Sequence, residues 1–143
     1  MKRIAFVALS IIITSCDVGP EPLKFGVDAC YACKMTLADT KFGAEIVTKK
    51  GKVFKFDDVN CMIGFYSSGY EPQDNIAHVL VVEFDRPENL IDARSAFYVR
   101  SEEVRSPMGS NVAAFGGNED LMSYNEKWHG TLHTWEELKS TFK

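Results

Sequence analysis

"KFGAEIVTKKGKVFKFDDVNCMIGFYSS", residues 41–68, changes periodicity midway, and that change decides the fold. Two β-rich runs, Phe42 to Thr48 and Lys52 to Phe56, flank a Lys-Lys-Gly turn, so the stretch opens as a β-hairpin. Asp57 or Asp58 then offers a carboxylate to cap a helix. Val59, Met62, Ile63 and Tyr66 recur at helical spacing, and the helix runs to about Ser68 and stops at Gly69. Next comes "IAHVLVVEF" (76–84), an apolar run suited to a buried central strand.

A second cycle follows. "SAFYVRS" (95–101) and "NVAAF" (111–115) are strand-like, and Asn118 to Lys127 is helical. "VFKFDDVNCMIGFY" (53–66) lines up without a gap on "VAAFGGNEDLMSYN" (112–125), at an offset of 59 residues. Phe56 falls on Phe115, Met62 on Leu121 and Phe65 on Tyr124. Such self-similarity predicts an α+β fold of two like halves packed side by side, about 28–90 and 91–143. In "TWEELKSTF", Thr134 and Glu137 have capping-box spacing ahead of a short C-terminal helix.

The N-terminus, "MKRIAFVALSIIITSC" (1–16), joins a basic start to a ten-residue apolar run, Ile4 to Ile13. That run is half of the roughly 20 residues a membrane-spanning helix needs. It fits a secretory signal peptide over residues 1–15. Ile13-Thr14-Ser15-Cys16 resembles the bacterial lipoprotein cleavage box, which makes Cys16 the lipidated first residue of the mature chain. Residues 16–27 then form the anchor and its tether, extended over Asp17 to Lys24, and residues 28–143 form the folded domain. Cleavage removes Lys2, Arg3 and no acid, leaving 14 basic and 20 acidic side chains and a net charge near −6. This argues against nucleic acid, and against an electrostatic grip on anionic lipid. Localisation follows as the bacterial cell envelope, held to the membrane by the lipid and facing the periplasm.

Thiols tend to pair in an exported protein, yet Cys30, Cys33 and Cys61 are an odd number once Cys16 is lipidated. "ACYACKM" (29–35) sets two cysteines and a methionine within six positions. An extended chain after Cys33 would put Met35 on the same face as Cys33. Thiolate and thioether donors together favour Cu(I). Zinc would prefer a closed Cys/His tetrahedron, and no zinc-finger partner pair stands at the right spacing. Covalent haem is excluded, because Lys34 occupies the place where C-x-x-C-H requires histidine. A thiol–disulfide exchange pair remains open as the rival reading, as does a purely structural envelope lipoprotein. Met108, in "VRSPMGSN" (104–111), sits in a turn-forming loop, either as a cap over the core or as a soft ligand. Met62 reads as core, and Cys61 as a small buried hydrophobe rather than a ligand. His78, His129 and His133 read as surface or structural histidines.

A lipobox, then "DACYACKMTL", "GKVFKFDDVNCM" and "FYVRSEEVRSPMGSNVAAF", is similar to the NosL family, lipoprotein accessory proteins of nitrous oxide reductase. The resemblance runs from Cys16 to about Glu137 and implies two related ββαβ halves. It further implies a copper chaperone rather than an enzyme. Cys30, Cys33 and Met35 would form the family's N-terminal sulfur cluster, and Met108 would be its Pro-Met-Gly methionine. His129 would be the counterpart of a histidine donor, although Gly130-Thr131 stands where relatives usually have Gly-Gly. Lys34 replaces a common Gly, and Cys61 is not a ligand the family requires. Cu(I) would pass between donor and acceptor proteins, among them a membrane transporter complex and nitrous oxide reductase.

Overall fold

The structure, a computed structural model, describes residues 18–143. The signal-peptide reading and the lipidated Cys16 lie outside the described residues. No helix among those described is long and apolar enough to cross a membrane.

The hairpin forms where the sequence places it. Strands β1 (Ala44–Thr48) and β2 (Val53–Phe56) pair antiparallel, Ala44 opposite Phe56 and Val47 opposite Val53. Gly51, at φ +80°, closes the turn by donating its N–H to Thr48 O at 2.9 Å. Helix α1 (Val59–Ser67) starts at Asp58, whose side chain accepts from Val59 N, and Gly69 follows its end at φ +70°. Val59, Met62, Ile63 and Phe65 are its buried residues; Tyr66 is half-buried against Trp135. Strand β3 (Ile76–Val82) then pairs with the free side of β1, so the first unit is a split β-α-β motif. A short edge strand that the sequence does not announce, β4 (Leu90–Asp92), completes the order β2-β1-β3-β4. It spans the expected seam near residue 90.

The second unit repeats the plan: β5 (Phe97–Arg100), β6 (Val112–Phe115), α2 (Asn118–Trp128) and β7 (Thr131–His133), in the order β6-β5-β7. Here β5 is central, as β1 is in the first sheet. β6 and α2 begin 59 residues after β2 and α1, matching the offset in sequence. The connection inside the second hairpin is what differs. Four residues, 49–52, join β1 to β2, whereas eleven, 101–111, join β5 to β6 and carry Met108. Helix α3 (Trp135–Thr141) closes the chain on a capping box between Thr134 and Glu137.

One core serves both halves. Ile46, Phe56, Met62, Ile63 and Val79 of the first unit cluster with Tyr98, Val112, Ala114, Trp135 and Leu138 of the second. Because side chains alternate along β5 and β6, Val99, Ala113 and Phe115 face the other way. They form a second cluster with Leu121 of α2 and with Phe42. Both faces of these strands are thus covered, which explains why all four residues of β6 are buried.

Candidate metal centre

The stretch 29–36 folds as a tight loop, closed at its base by a bridge between Ala29 and Thr36. Cys30 N donates to Met35 O at 2.8 Å, and Lys34 N donates to Cys30 O at 3.0 Å. Tyr31 N bonds Lys55 O at 2.7 Å, laying the loop along β2, the edge of the first sheet. Residues 21–27, the later part of the expected tether, and Asp28, the first residue of the expected domain, lie on the same side. Leu23 is buried, Glu21 N bonds the carboxylate of Glu45, and Lys55 Nζ reaches Asp28 at 2.8 Å.

Lys34 sits at φ +65°, the left-handed region that glycine occupies freely. Its ammonium bonds Tyr31 O and lies 4.3 Å from the centre of the Tyr31 ring, which compensates for the backbone conformation. The chain therefore turns between Cys33 and Met35 instead of running extended, so strand alternation does not set their relation. Met35 is 55% exposed.

The third sulfur is Cys61, in the first turn of α1. The sulfurs of Cys30, Cys33 and Cys61 all lie within 4.8 Å of one another. Metal–sulfur bonds of about 2.3 Å place two donors on one ion no more than about 4.6 Å apart, so small movements suffice to bring all three to a common ion. Cys30 is fully buried; Cys33 and Cys61 are half-buried, and all three are free thiols. The Cys61 thiol, with the backbone N–H groups of Cys33 and Asp57, stabilises the Cys30 thiolate and holds Cys30 down to about 4 against the opposing effect of burial. Burial pushes Cys33 up, and donation to Cys30 together with burial pushes Cys61 up. The cluster thus gives up one proton readily and the others reluctantly.

Met108 comes to this neighbourhood through its backbone. Met108 N donates to Asp58 Oδ2 at 3.2 Å, and Met108 O accepts from Asn60 Nδ2 at 3.1 Å. Asp58 also accepts from Ser106 Oγ at 2.6 Å, Ser110 Oγ at 2.6 Å and Ser110 N at 3.3 Å while capping α1. The long loop of the second half is thereby fixed to the start of the helix that carries Cys61.

His129 stands elsewhere, as the left-handed C-cap of α2 at φ +48°. It lines a cavity of about 520 Å³ with His133, Arg100, Glu102 and Glu103, and among the described residues no cysteine or methionine lines that cavity. His78 is half-buried on β3 opposite Val47. The sequence reads Cys61 as a small buried hydrophobe, and the structure sets its sulfur beside those of Cys30 and Cys33. Two signals pointed to it: the odd cysteine count, and Asp58 as the cap, which puts residue 61 in a helix's first turn.

Fold and site together define a class: a small α+β protein of two split β-α-β units that carries a cluster of thiols able to receive a soft metal ion. Residues 25–142 match the NosL family, and the chain belongs to that family. It is similar to the copper-binding lipoprotein NosL of Stutzerimonas stutzeri, with 26% identity over 128 residues, covering 82% of this chain. The chain spans 66% of that relative's length, just under two thirds. The fold is similar to the crystal structure of the copper chaperone NosL from Shewanella denitrificans, with a TM-score of 0.65 and 22% identity. That match covers 84% of this chain and 95% of the other. Neither relative is named for a catalysed reaction.

Proposed function

We propose that this protein is a copper chaperone of the bacterial envelope, anchored through a lipid on Cys16. It holds Cu(I) and passes it on for assembly of the copper centres of nitrous oxide reductase. The observation that carries this reading is the convergence of Cys30 and Cys33 with a third sulfur inside 4.8 Å. Three soft sulfurs, with no fourth cysteine or histidine beside them among the described residues to close zinc's tetrahedron, suit Cu(I) better than zinc. Met35, exposed beside the cluster, and Met108, docked on the start of α1, are the thioether donors of this reading. His129, lining a separate cavity, gains no support as a donor from its position.

Release has to be as easy as capture. Half-buried thiols and an exposed thioether let an incoming soft donor add before an outgoing one leaves. A lipid anchor would raise the effective concentration of the donor near a membrane-bound acceptor such as a transporter complex. The rival reading, a thiol–disulfide carrier, asks for an accessible thiol of low pKa. Here the acidic thiol, Cys30, is fully buried, which leaves that reading weaker.

Competition with a coloured Cu(I) chelator, before and after thiol reduction, tests the proposal. Reduced protein should withdraw copper from the chelator, and air-oxidised protein should not. Equal affinity in both states would remove Cys30 and Cys33 from the site, and with them the proposal.

A further inference from the structure

We infer that Cys61 is a metal ligand and that the holding site of this chain is a trithiolate of Cys30, Cys33 and Cys61. The inference rests on the metal-binding reading above and goes beyond it, because the family resemblance does not require a cysteine at this position. Its first support is distance: the Cys61 sulfur lies within 4.8 Å of both other sulfurs, so an ion held by Cys30 and Cys33 has the third sulfur within reach. Its second support is placement. Cys61 occupies the first turn of a nine-residue helix, whose dipole favours an anionic ligand. Its third support is rigidity, since the cap of that helix, Asp58, is fully buried and accepts five hydrogen bonds.

The three thiols then have unequal parts. Cys30 and Cys61 are fixed, one by backbone bonds to Met35 and Lys34, the other by the capped helix. Cys33 precedes the left-handed Lys34 in a turn that faces solvent, so it is the arm that detaches first when an acceptor approaches. Loading releases the remaining thiol protons to solvent and leaves the oxidation state of the ion unchanged. The third thiolate tightens the hold on soft ions generally, Cd(II) as well as Cu(I), and leaves the thioethers of Met35 and Met108 to meet the ion as it arrives or departs.

The test uses the reduced full chain and its Cys61→Ser variant, with folding of both checked by circular dichroism. Cd(II) serves as a probe independent of copper, because its sulfur charge-transfer absorbance scales with the number of bound thiolates. The parent should show a three-thiolate band, and Cys61→Ser should lose about one third of it. Against the Cu(I) chelator, the variant should bind at least tenfold more weakly. If the band and the copper affinity are the same in parent and variant, Cys61 is not a ligand and the inference falls, while the chaperone reading stands. If parent and variant differ by one thiolate toward Cd(II) but neither withdraws Cu(I) from the chelator, the ligand assignment holds and the copper reading fails.

Discussion

Glu45 is a carboxylate placed where a sheet ordinarily carries an apolar side chain. It lies on β1 opposite Lys55, wholly buried. One oxygen accepts from Glu21 N at 3.0 Å, and the other has no partner among the described residues. Burial pushes its pKa up to about 7, from 4.5 in the absence of the fold. The folded protein therefore holds this proton more tightly than the unfolded chain does. The stability contributed by the group is complete below about pH 4.5, and it is lost as pH rises towards and through 7. Glu45→Gln, neutral at every pH, should match the parent at pH 4 and exceed it at pH 8 by roughly 3 kcal/mol. Urea midpoints at the two pH values decide it, and an equal gain at both would mean that Glu45 does not titrate in this range. At this scale the sequence was partly legible. The C-x-x-C spacing alone sufficed to bring Cys30 near Cys33. Cys61 joins them only because the loop lies along β2 and β2 leads into α1, a tertiary relation that no local spacing encodes. The left-handed Lys34 was equally hidden, since only its backbone bond to Cys30 and its contact with Tyr31 hold it there.

Among the elements, the junction of α1 with the loop 101–111 does the most to shape the site. Asp58 was readable as a helix cap, because Asp before an apolar helical stripe is a local signal. Its second task was not readable, since the donors from Ser106, Met108 and Ser110 come from 48 to 52 residues further along the chain. The two halves differ at this junction. Gly117 occupies the place of Asp58 in the second unit and has no side-chain cap, and only the second hairpin carries the long connection. Asp58→Ala removes the cap and leaves two hydroxyls and three backbone N–H groups without their acceptor. The expected loss is roughly 3–5 kcal/mol, a large share of a small domain's stability. Asp58→Asn keeps an acceptor for the cap but turns an amide NH₂ towards this crowd of donors, so it should recover only part of the loss. Thermal melts of the three proteins would check the order, and an Asn variant as stable as the parent would contradict it.

At the scale of the whole molecule, the repeat was legible because β-rich run, cap and helical stripe recur at one offset. The edge strand β4 was not, since three half-exposed residues carry no periodicity. Nor does the repeat reveal that the two units share their interior. Tyr98, Trp135 and Leu138 pack into the cluster built on Ile46, Phe56 and Met62. Hydrogen bonds cross the seam as well: Phe84 N donates to Ala114 O at 2.8 Å, and Gly116 N donates to the carboxylate of the buried Glu83 at 2.9 Å. Neither unit can lose its fold without exposing the core of the other, so unfolding should be a single cooperative transition. Native-state hydrogen exchange makes this testable sheet by sheet. The slowest amides of β1 and β3 should report the same opening free energy as those of β5 and β6. Metal loading sharpens the prediction, because the thiols belong to the first unit and the loop docked on the start of α1 to the second. An ion bound only by the folded protein, free at about a thousand times its dissociation constant, adds about 4 kcal/mol to global stability. That increment should appear equally in both sheets. A rise confined to β1 and β3 would show that the units open independently, and that the hydrogen bonds of Asp58 do not carry the effect of metal across the seam.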